Sequence, residues 1–192
     1  MASTETQAVI GSGFGEVLAA AQAGSEAAFS ALWRDGNPAL LRYLRVVAPG
    51  MAEDVAAETW VSVIRGLPGF RGDEAAWRAW LFTTARRRVV DESRRRSRRP
   101  EVPLDDLAVA GLPGLADTAD LALENLGTKA AIGAVATLPR LQAEVIVLRV
   151  VAGLDYDMVA QLVGRSPGAV RVAAHRGLRR LAGLLAETGV TQ

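Results

Sequence analysis

The sequence has no cysteine, one histidine and one lysine among its 192 residues. Without cysteine there can be no disulfide, no thiolate metal site and no cysteine nucleophile, and a reducing cytoplasm suits such a chain. With His175 as the single imidazole, a metal site built from several histidines is excluded, as is a Ser-His-Asp triad centred on any other residue. No uninterrupted apolar run reaches the roughly 18 residues that a membrane span needs. The first fifteen residues also lack the basic start and apolar stretch of a secretory leader. The expectation is a cytoplasmic protein with no direct membrane insertion, no cofactor and no metal.

What is present is apolar and basic in a patterned way. Half of the residues are apolar, ample for buried cores in one large or two small domains. Net charge is only +1, but it is unevenly spread. Eight arginines against two acids fall between Arg86 and Arg99, six carboxylates and no base between Glu101 and Glu124, and eight bases against three acids between Lys129 and Arg180. Two basic blocks thus flank an acidic spacer, the electrostatic footprint of a polyanion binder.

Periodicity points to helices throughout. Residues 1–13, small and polar, read as a tail. A helical pattern runs from Val17 to Trp33, breaks at Asp35-Gly36-Asn37-Pro38, and resumes through Leu40, Leu41, Leu44 and Val47 until Pro49-Gly50. A third helix spans about 52–65 with Val55, Trp60, Val61 and Ile64 on its buried side. A fourth starts near Glu74 and carries Trp77, Trp80, Leu81 and Val89 into the arginine run, fraying by Ser97 because Pro100 disfavours helix at Arg99. Residues 100–128, with three prolines, three glycines and six acids against no base, read as a linker. Three further helices are expected at Leu138–Val151, Asp155–Val163 and Pro167–Ala186. Before the last of them, Gly164-Arg165-Ser166 supplies a short turn, an N-cap and a proline at the first helical position. Such a pair with a basic second helix is a helix-turn-helix signature. The fold class is all-α: two small helical domains joined by an acidic linker, with domain limits of 14–99, 100–128 and 129–186 and a C-terminal tail at 187–192.

Three constellations carry candidate chemistry. On the last helix, Val170, Ala174, Leu178 and Leu181 form a buried stripe, while Arg171, His175 and Arg179 step by four along an exposed face. That face suits a major groove, with arginine bonding guanine edges and Arg165, Ser166 and Arg176 holding phosphates, or it is simply a solvated basic face. Around the arginine run, Phe70, Trp77 and Trp80 precede the cations, the combination that binds unstacked bases and their backbone. Tryptophans three apart are also ordinary core residues, and both roles can coexist. Asp54 and Glu58, at i and i+4, are a solvated helix face, a docking surface or an acid pair, in that order of frequency.

These residues resemble the extracytoplasmic-function group of the sigma-70 family, from about Phe29 to Leu185. Residues 52–70, with Asp54, Glu58, Trp60, Leu67 and Phe70, look like the family's second-region core. Trp80–Arg86 with Asp91 and the arginines at 94–96 look like the segment that follows it. Leu138-Pro139, Gly153-Leu154, Val159-Ala160, Gly164 and Ser166–Val170 match the fourth-region helix-turn-helix. The resemblance implies an RNA polymerase sigma factor without a catalytic site. Asp54 and Glu58 would dock on the β′ clamp helices of core RNA polymerase, and the fourth-region unit would sit on the β flap. Phe70, Arg71, Trp77, Trp80, Thr84, Arg87, Arg88, Arg94 and Arg95 would open and read the minus-10 promoter element. Arg165, Ser166, Arg171, Val172, His175, Arg176 and Arg179 would read the minus-35 element as duplex, and an anti-sigma factor is implied as a further partner. The sequence departs from the family at Ala57 (usually Gln), Thr84 (Ile), Arg87 (Asn) and, on the recognition helix, Ala169, Val172, Ala173 and Ala174. Those positions bear on which promoter is chosen. Two other functions compete: a stand-alone helix-turn-helix regulator, which would need a dimerisation or sensing unit that residues 29–99 do not resemble, and a nuclease using Asp54 and Glu58 with a divalent metal, for which no further converging ligands are recognisable.

Overall fold

A computed structural model of the chain describes residues 10–98 and 129–187. The expected tail at 1–9, Arg99 with the acidic linker 100–128, and residues 188–192 lie outside the described residues. Four helices form the first unit: α1 (Phe14–Gln22), α2 (Glu26–Val47), α3 (Ala52–Gly66) and α4 (Glu74–Arg98). The second unit holds α5 (129–136), α6 (Arg140–Val150), α7 (Tyr156–Val163) and α8 (Pro167–Glu187). No strand occurs among the described residues, so the all-α expectation holds. Helix α5 had no counterpart in the periodicity reading, and Gly11–Gly13, expected in the tail, forms a 3-10 turn leading into α1.

The first break in the chain falls earlier than its glycine and proline suggest. It lies at Ala23–Ser25, where Ser25 caps α2 by accepting from the Ala28 amide at 3.3 Å. Helix α2 then runs unbroken through Asp35-Gly36-Asn37-Pro38. Proline there removes one amide donor, but Leu32, Leu40, Tyr43 and Leu44 bury the helix on both sides of it. Gly36 and Asn37 serve as packing contacts instead of a turn. A Cβ on Gly36 would stand 2.9 Å from Leu81 and 3.3 Å from the Trp60 ring, and the Asn37 side-chain oxygen accepts from Trp60 Nε1 at 3.0 Å.

Of the four residues expected on the buried side of helix α3, Val55 and Trp60 are there and Val61 and Ile64 are not. Ala52, Val55, Ala56, Thr59, Trp60 and Val63 are buried, whereas Val61 and Ile64 are 46% and 51% exposed. Spacing of three and four links 52, 56, 59, 60 and 63 into one stripe and leaves 61 and 64 on the outer arc with 54, 57 and 58. Helix α4 is capped by Asp73, whose carboxylate accepts from the Ala76 amide at 2.8 Å. It buries Trp77, Leu81, Phe82, Ala85 and Val89, and reaches Arg98.

In the second unit α6 is buried along Ala143–Leu148 on all sides, because α2 covers one flank while α7 and α8 cover the other. Asp155 caps α7 through the Met158 amide at 2.7 Å, and Ser166 caps α8 through the Ala169 amide at 3.3 Å. Each cap contributes about 1 kcal/mol. Gly164, at φ 67°, makes the turn between them in the left-handed region that glycine enters without strain. The expected α8 stripe needs correction at Leu178, which is 51% exposed. Val170, Ala173, Ala174 and Gly177 face inward, with Leu181 half-buried beyond them. At Gly177 the two helices meet so closely that a Cβ would lie 2.6 Å from Ile146 Cδ1 and 3.2 Å from Gln142 Cβ. The missing side chain lets α8 settle on α6.

The two units pack on each other, and one buried cluster runs from Phe14 in the first to Ala174 in the second. At their junction Tyr43 of α2 meets Phe82 of α4 edge-on, ring centres 5.4 Å apart. Glu144 of α6 projects into this seam with its side chain 8% exposed. One of its oxygens accepts from the Tyr43 hydroxyl at 3.2 Å and from Arg86 Nε at 2.8 Å. Burial first, and the Glu144 charge second, push the Tyr43 phenol well above its ordinary range.

Close packing at Gly177 sets a contrast within one helix. Gly177→Val should cost about 1–3 kcal/mol by overpacking, while Gly183→Ala, where no atom lies within 4 Å, should gain about 1 kcal/mol of helix propensity. Urea unfolding of the two variants checks the pair.

Candidate nucleic-acid interface

The loop between α3 and α4 is built around an aromatic stack. Phe70 lies over Trp80 with centroids 5.0 Å apart and planes 23° from parallel, and meets Trp77 edge-on at 5.6 Å. Offset stacking and edge contacts are the arrangements that ring quadrupoles favour. Gln22 pins the loop from behind, its side-chain amide donating to the carbonyls of Leu67 at 2.9 Å and Phe70 at 2.8 Å. Sequence reasoning missed Gln22, since its partners lie 45 and 48 positions away. Arg71 is exposed and curls back to the carbonyls of Pro68 and Phe70 at 2.9 and 2.6 Å.

The two tryptophans divide between the roles weighed for them. Trp77 is 1% exposed and packs against Phe14, Phe70 and Trp80, so direct contact with a base is closed to it; it supports the stack from within. Its indole N–H has no hydrogen-bond partner. Trp80 and Phe70 are half-buried and so partly open to solvent.

The arginines of α4 separate into two faces. Arg87 and Arg94, with Thr83, Arg86 and Asp91, line a cleft of about 600 Å³ whose opposite wall is Met158, Gln161 and Leu162 of α7. Arg88 and Arg95 lie on the other side, beside Glu58, Val61 and Ser62 of α3. There Arg88 donates twice to the Ser62 hydroxyl, at 3.2 and 2.7 Å. Arg95 and Arg96 share Glu92 at 3.7 and 3.3 Å. Such exposed pairs contribute at most about 1 kcal/mol, so these cations are easily redirected to a phosphate. Thr84 spends its hydroxyl on the Trp80 carbonyl at 2.8 Å, while its neighbour Thr83, which the sequence reading passed over, opens on the cleft.

Helix α8 presents a continuous outer face. Arg165, Ser166, Arg171, Val172, His175, Arg176 and Arg179 are all exposed. Arg171 leans over the Tyr156 ring at 5.4 Å, and Arg149 sits over the same ring at 4.3 Å. This cation–π seat fixes where Arg171 begins its reach from the helix. Tyr156 was not anticipated, because only the fold brings α6, α7 and α8 to one ring.

On α3 the exposed Asp54 and Glu58 share the outer face with Ala57, Val61 and Ile64. The patch is therefore apolar with an acidic edge, not a bare carboxylate pair. No group of three or more His, Cys, Asp or Glu among the described residues is placed to hold a metal ion, and no described helix is long and apolar enough to cross a membrane.

An all-α pair of units, one with an aromatic loop beside a cationic helix and the other with a capped helix-turn-helix, defines a two-unit nucleic-acid-binding protein. Comparison with known proteins places it further. Residues 32–99 match the family described as Sigma-70 region 2, and residues 129–181 match Sigma-70, region 4. The sigma factor ShbA of Streptomyces griseus is 37% identical over 158 residues, covering 77% of this chain and 82% of that protein. The sigma factor SigD of Mycobacterium tuberculosis is 35% identical over 176 residues, covering 86% and 80%. In fold, the chain resembles the Bartonella quintana sigma factor RpoE, solved in complex with the anti-sigma factor NepR. That match has a TM-score of 0.60 and 24% identity, covering 82% of this chain and 96% of the other. The chain belongs to the extracytoplasmic-function group of the sigma-70 family of RNA polymerase sigma factors.

The unpartnered indole of Trp77 generates a test of its supporting role. Trp77→Phe removes a buried donor that has no acceptor and should cost less than about 1.5 kcal/mol, whereas Trp77→Ala should cost about 3–5 kcal/mol. Chemical denaturation distinguishes them.

Proposed function

We propose that the three surfaces divide promoter recognition among them. The outer face of α3 docks on the β′ clamp helices of core RNA polymerase, with Asp54 and Glu58 supplying charge and Val61 and Ile64 the apolar area that a stable contact needs. Phe70, Trp80 and Arg71 receive unstacked bases of the minus-10 element, with Thr84 one turn beyond Trp80 on the same helix, and Arg87 and Arg94 track its backbone along the cleft side of α4. Arg88 and Arg95 lie nearer the α3 face and hold phosphate at that edge. The minus-35 element is read as duplex by α8: Arg171, Val172 and His175 face base edges, and Arg165, Ser166, Arg176 and Arg179 hold the backbone.

The observation that carries this proposal is the capped turn at Gly164 and Ser166, which sends α8 outward with its basic face free and its opposite face seated on α6. Domain limits of 14–99 and 129–186, with 100–128 as an acidic connector between them, follow from the same division. The chain performs no chemistry itself; it works in the cytoplasm as a specificity subunit and is held in check by an anti-sigma factor. A free-standing helix-turn-helix regulator would need a dimerisation or sensing unit. Residues 32–99 match sigma-70 region 2 instead.

Two variants test the division. Arg171→Ala should weaken minus-35 recognition by about 1–3 kcal/mol, measured as the loss of transcriptional preference between promoters differing only in their minus-35 bases; an unchanged preference rejects the assignment. Asp54→Ala combined with Glu58→Ala should lower affinity for core polymerase in a pull-down while helicity by circular dichroism is retained. Full retention of core binding would remove α3 from the docking role.

A further inference from the structure

Helix α1 lies ahead of residues 32–99, the stretch that matches Sigma-70 region 2, yet it holds the aromatic loop at two points. Phe14, at its first position, packs on Trp77 with ring centres 6.4 Å apart. Gln22, at its last, donates its side-chain amide to the carbonyls of Leu67 at 2.9 Å and Phe70 at 2.8 Å. A side-chain amide carries two N–H donors, so both are committed to the loop. Nothing in α1 itself requires this, since those partners lie 45 and 48 positions along the chain.

The two bonds fall on the backbone that carries the stacked rings. Phe70 donates its own amide to the Leu67 carbonyl at 3.1 Å, so its peptide groups are held on both sides. The rings in turn lie close against that backbone. A Cβ on Gly66 would stand 2.8 Å from the Trp80 ring, and one on Gly72 would stand 3.2 Å from Phe70 Cζ and 2.7 Å from Ala76 Cβ. Rings seated this tightly follow the chain beneath them, and a displaced loop displaces the stack of Phe70 on Trp80.

Arg71 shares one of these carbonyls. Its guanidinium donates to Phe70 at 2.6 Å and to Pro68 at 2.9 Å. A carbonyl oxygen has two lone pairs, and Gln22 and Arg71 take those of Phe70. The two donors differ in what they are free to do. Arg71 is exposed, and turning to a phosphate or a base means giving up its loop carbonyls. Gln22 is half-buried at the end of a separate helix and keeps its bonds when Arg71 leaves. A loop that holds its shape through that exchange presents a formed receptor, and the cost of ordering it is not charged to binding. We propose that Gln22 is a positioning residue of the minus-10 site: it touches no DNA, and it keeps Phe70 and Trp80 in their base-receiving arrangement while Arg71 exchanges loop carbonyls for DNA. The promoter consequence rests on the function proposed above; the clamp on the loop does not.

Two substitutions remove the clamp in different ways. Gln22→Met keeps the length of the side chain without its donors, and Gln22→Glu keeps its shape but turns an anionic oxygen on two carbonyls. Amide hydrogen exchange in the full chain, read over residues 67–73, should quicken about tenfold or more in each variant, since each lost bond is worth roughly a factor of five. Exchange in α8 and overall helicity should not change. With core polymerase bound, and on a promoter whose minus-10 segment is already unpaired, the preference for matched over substituted minus-10 bases should fall about fivefold or more as the competent loop becomes a minor population. Core affinity and the preference at minus 35 should stay at wild-type values. A purely structural glutamine would lower stability and leave the minus-10 preference of the folded protein where it was. Unchanged loop exchange in both variants overturns the clamp, and a loosened loop with unaltered minus-10 preference overturns the positioning role. A loop that loosens as expected, in a chain whose wild type directs no transcription by core polymerase, sinks the promoter assignment and leaves the clamp standing.

Discussion

The burial of one side of α4 is the constraint on which the other features depend. Trp77, Leu81, Phe82, Ala85 and Val89 must leave water together, and that fixes the rotation of a 25-residue helix carrying most of the first unit's positive charge. Once the apolar side is committed, the arginines can emerge only to left and right of it. Arg87 and Arg94 go to the cleft beside α7, and Arg88 and Arg95 go to the flank of α3. The same rotation puts Trp77 beneath Phe70 and Trp80, so the loop that presents these rings is stiffened by the core below it. It also aims Arg86 at Glu144.

A second consequence is that recognition and stability use different atoms. On α8 the residues that seat the helix, Val170, Ala173, Ala174 and Gly177, are small or medium in size, and the long cationic side chains are exposed on the opposite arc, Arg171 resting over the Tyr156 ring. Substituting a cation there should alter binding with little effect on folding, since an exposed arginine contributes little to stability. The departures at Ala173 and Ala174 fall on the packed side, while Val172 and Ala169 are exposed. Under the proposed reading of α8, promoter choice would be open to Val172 and Ala169 directly, and to Ala173 and Ala174 only through the seating of the helix.

Local signals carried the sequence reading where the interactions were local. Ser166, Pro167 and Gly164 announce a cap, a first helical position and a left-handed turn within four residues, and the structure has each of them there. Reading failed where a distant partner changed the meaning of a residue. Gly36 and Pro38 look like a break until Trp60 and Leu81 are known to pack on that stretch. Val61 and Ile64 were assigned inward on hydrophobicity alone, although the helical phase set by Val55, Thr59 and Val63 turns them out. Leu178 was misplaced for the same reason: Gly177 is the contact with α6, and a side chain of zero size leaves no hydrophobic signature. Glu144, Gln22 and Tyr156 gain their roles from partners on other helices, which periodicity cannot register.

The central claim is that this chain confers promoter choice on a polymerase by gripping it, melted DNA and upstream duplex with three separate surfaces. Run-off transcription with purified core polymerase, mapped to single-base resolution on genomic fragments, tests it most directly. Addition of the protein should produce discrete start sites that share one sequence upstream near position minus 10 and another near minus 35. Initiation no different from that of core polymerase alone would contradict the account.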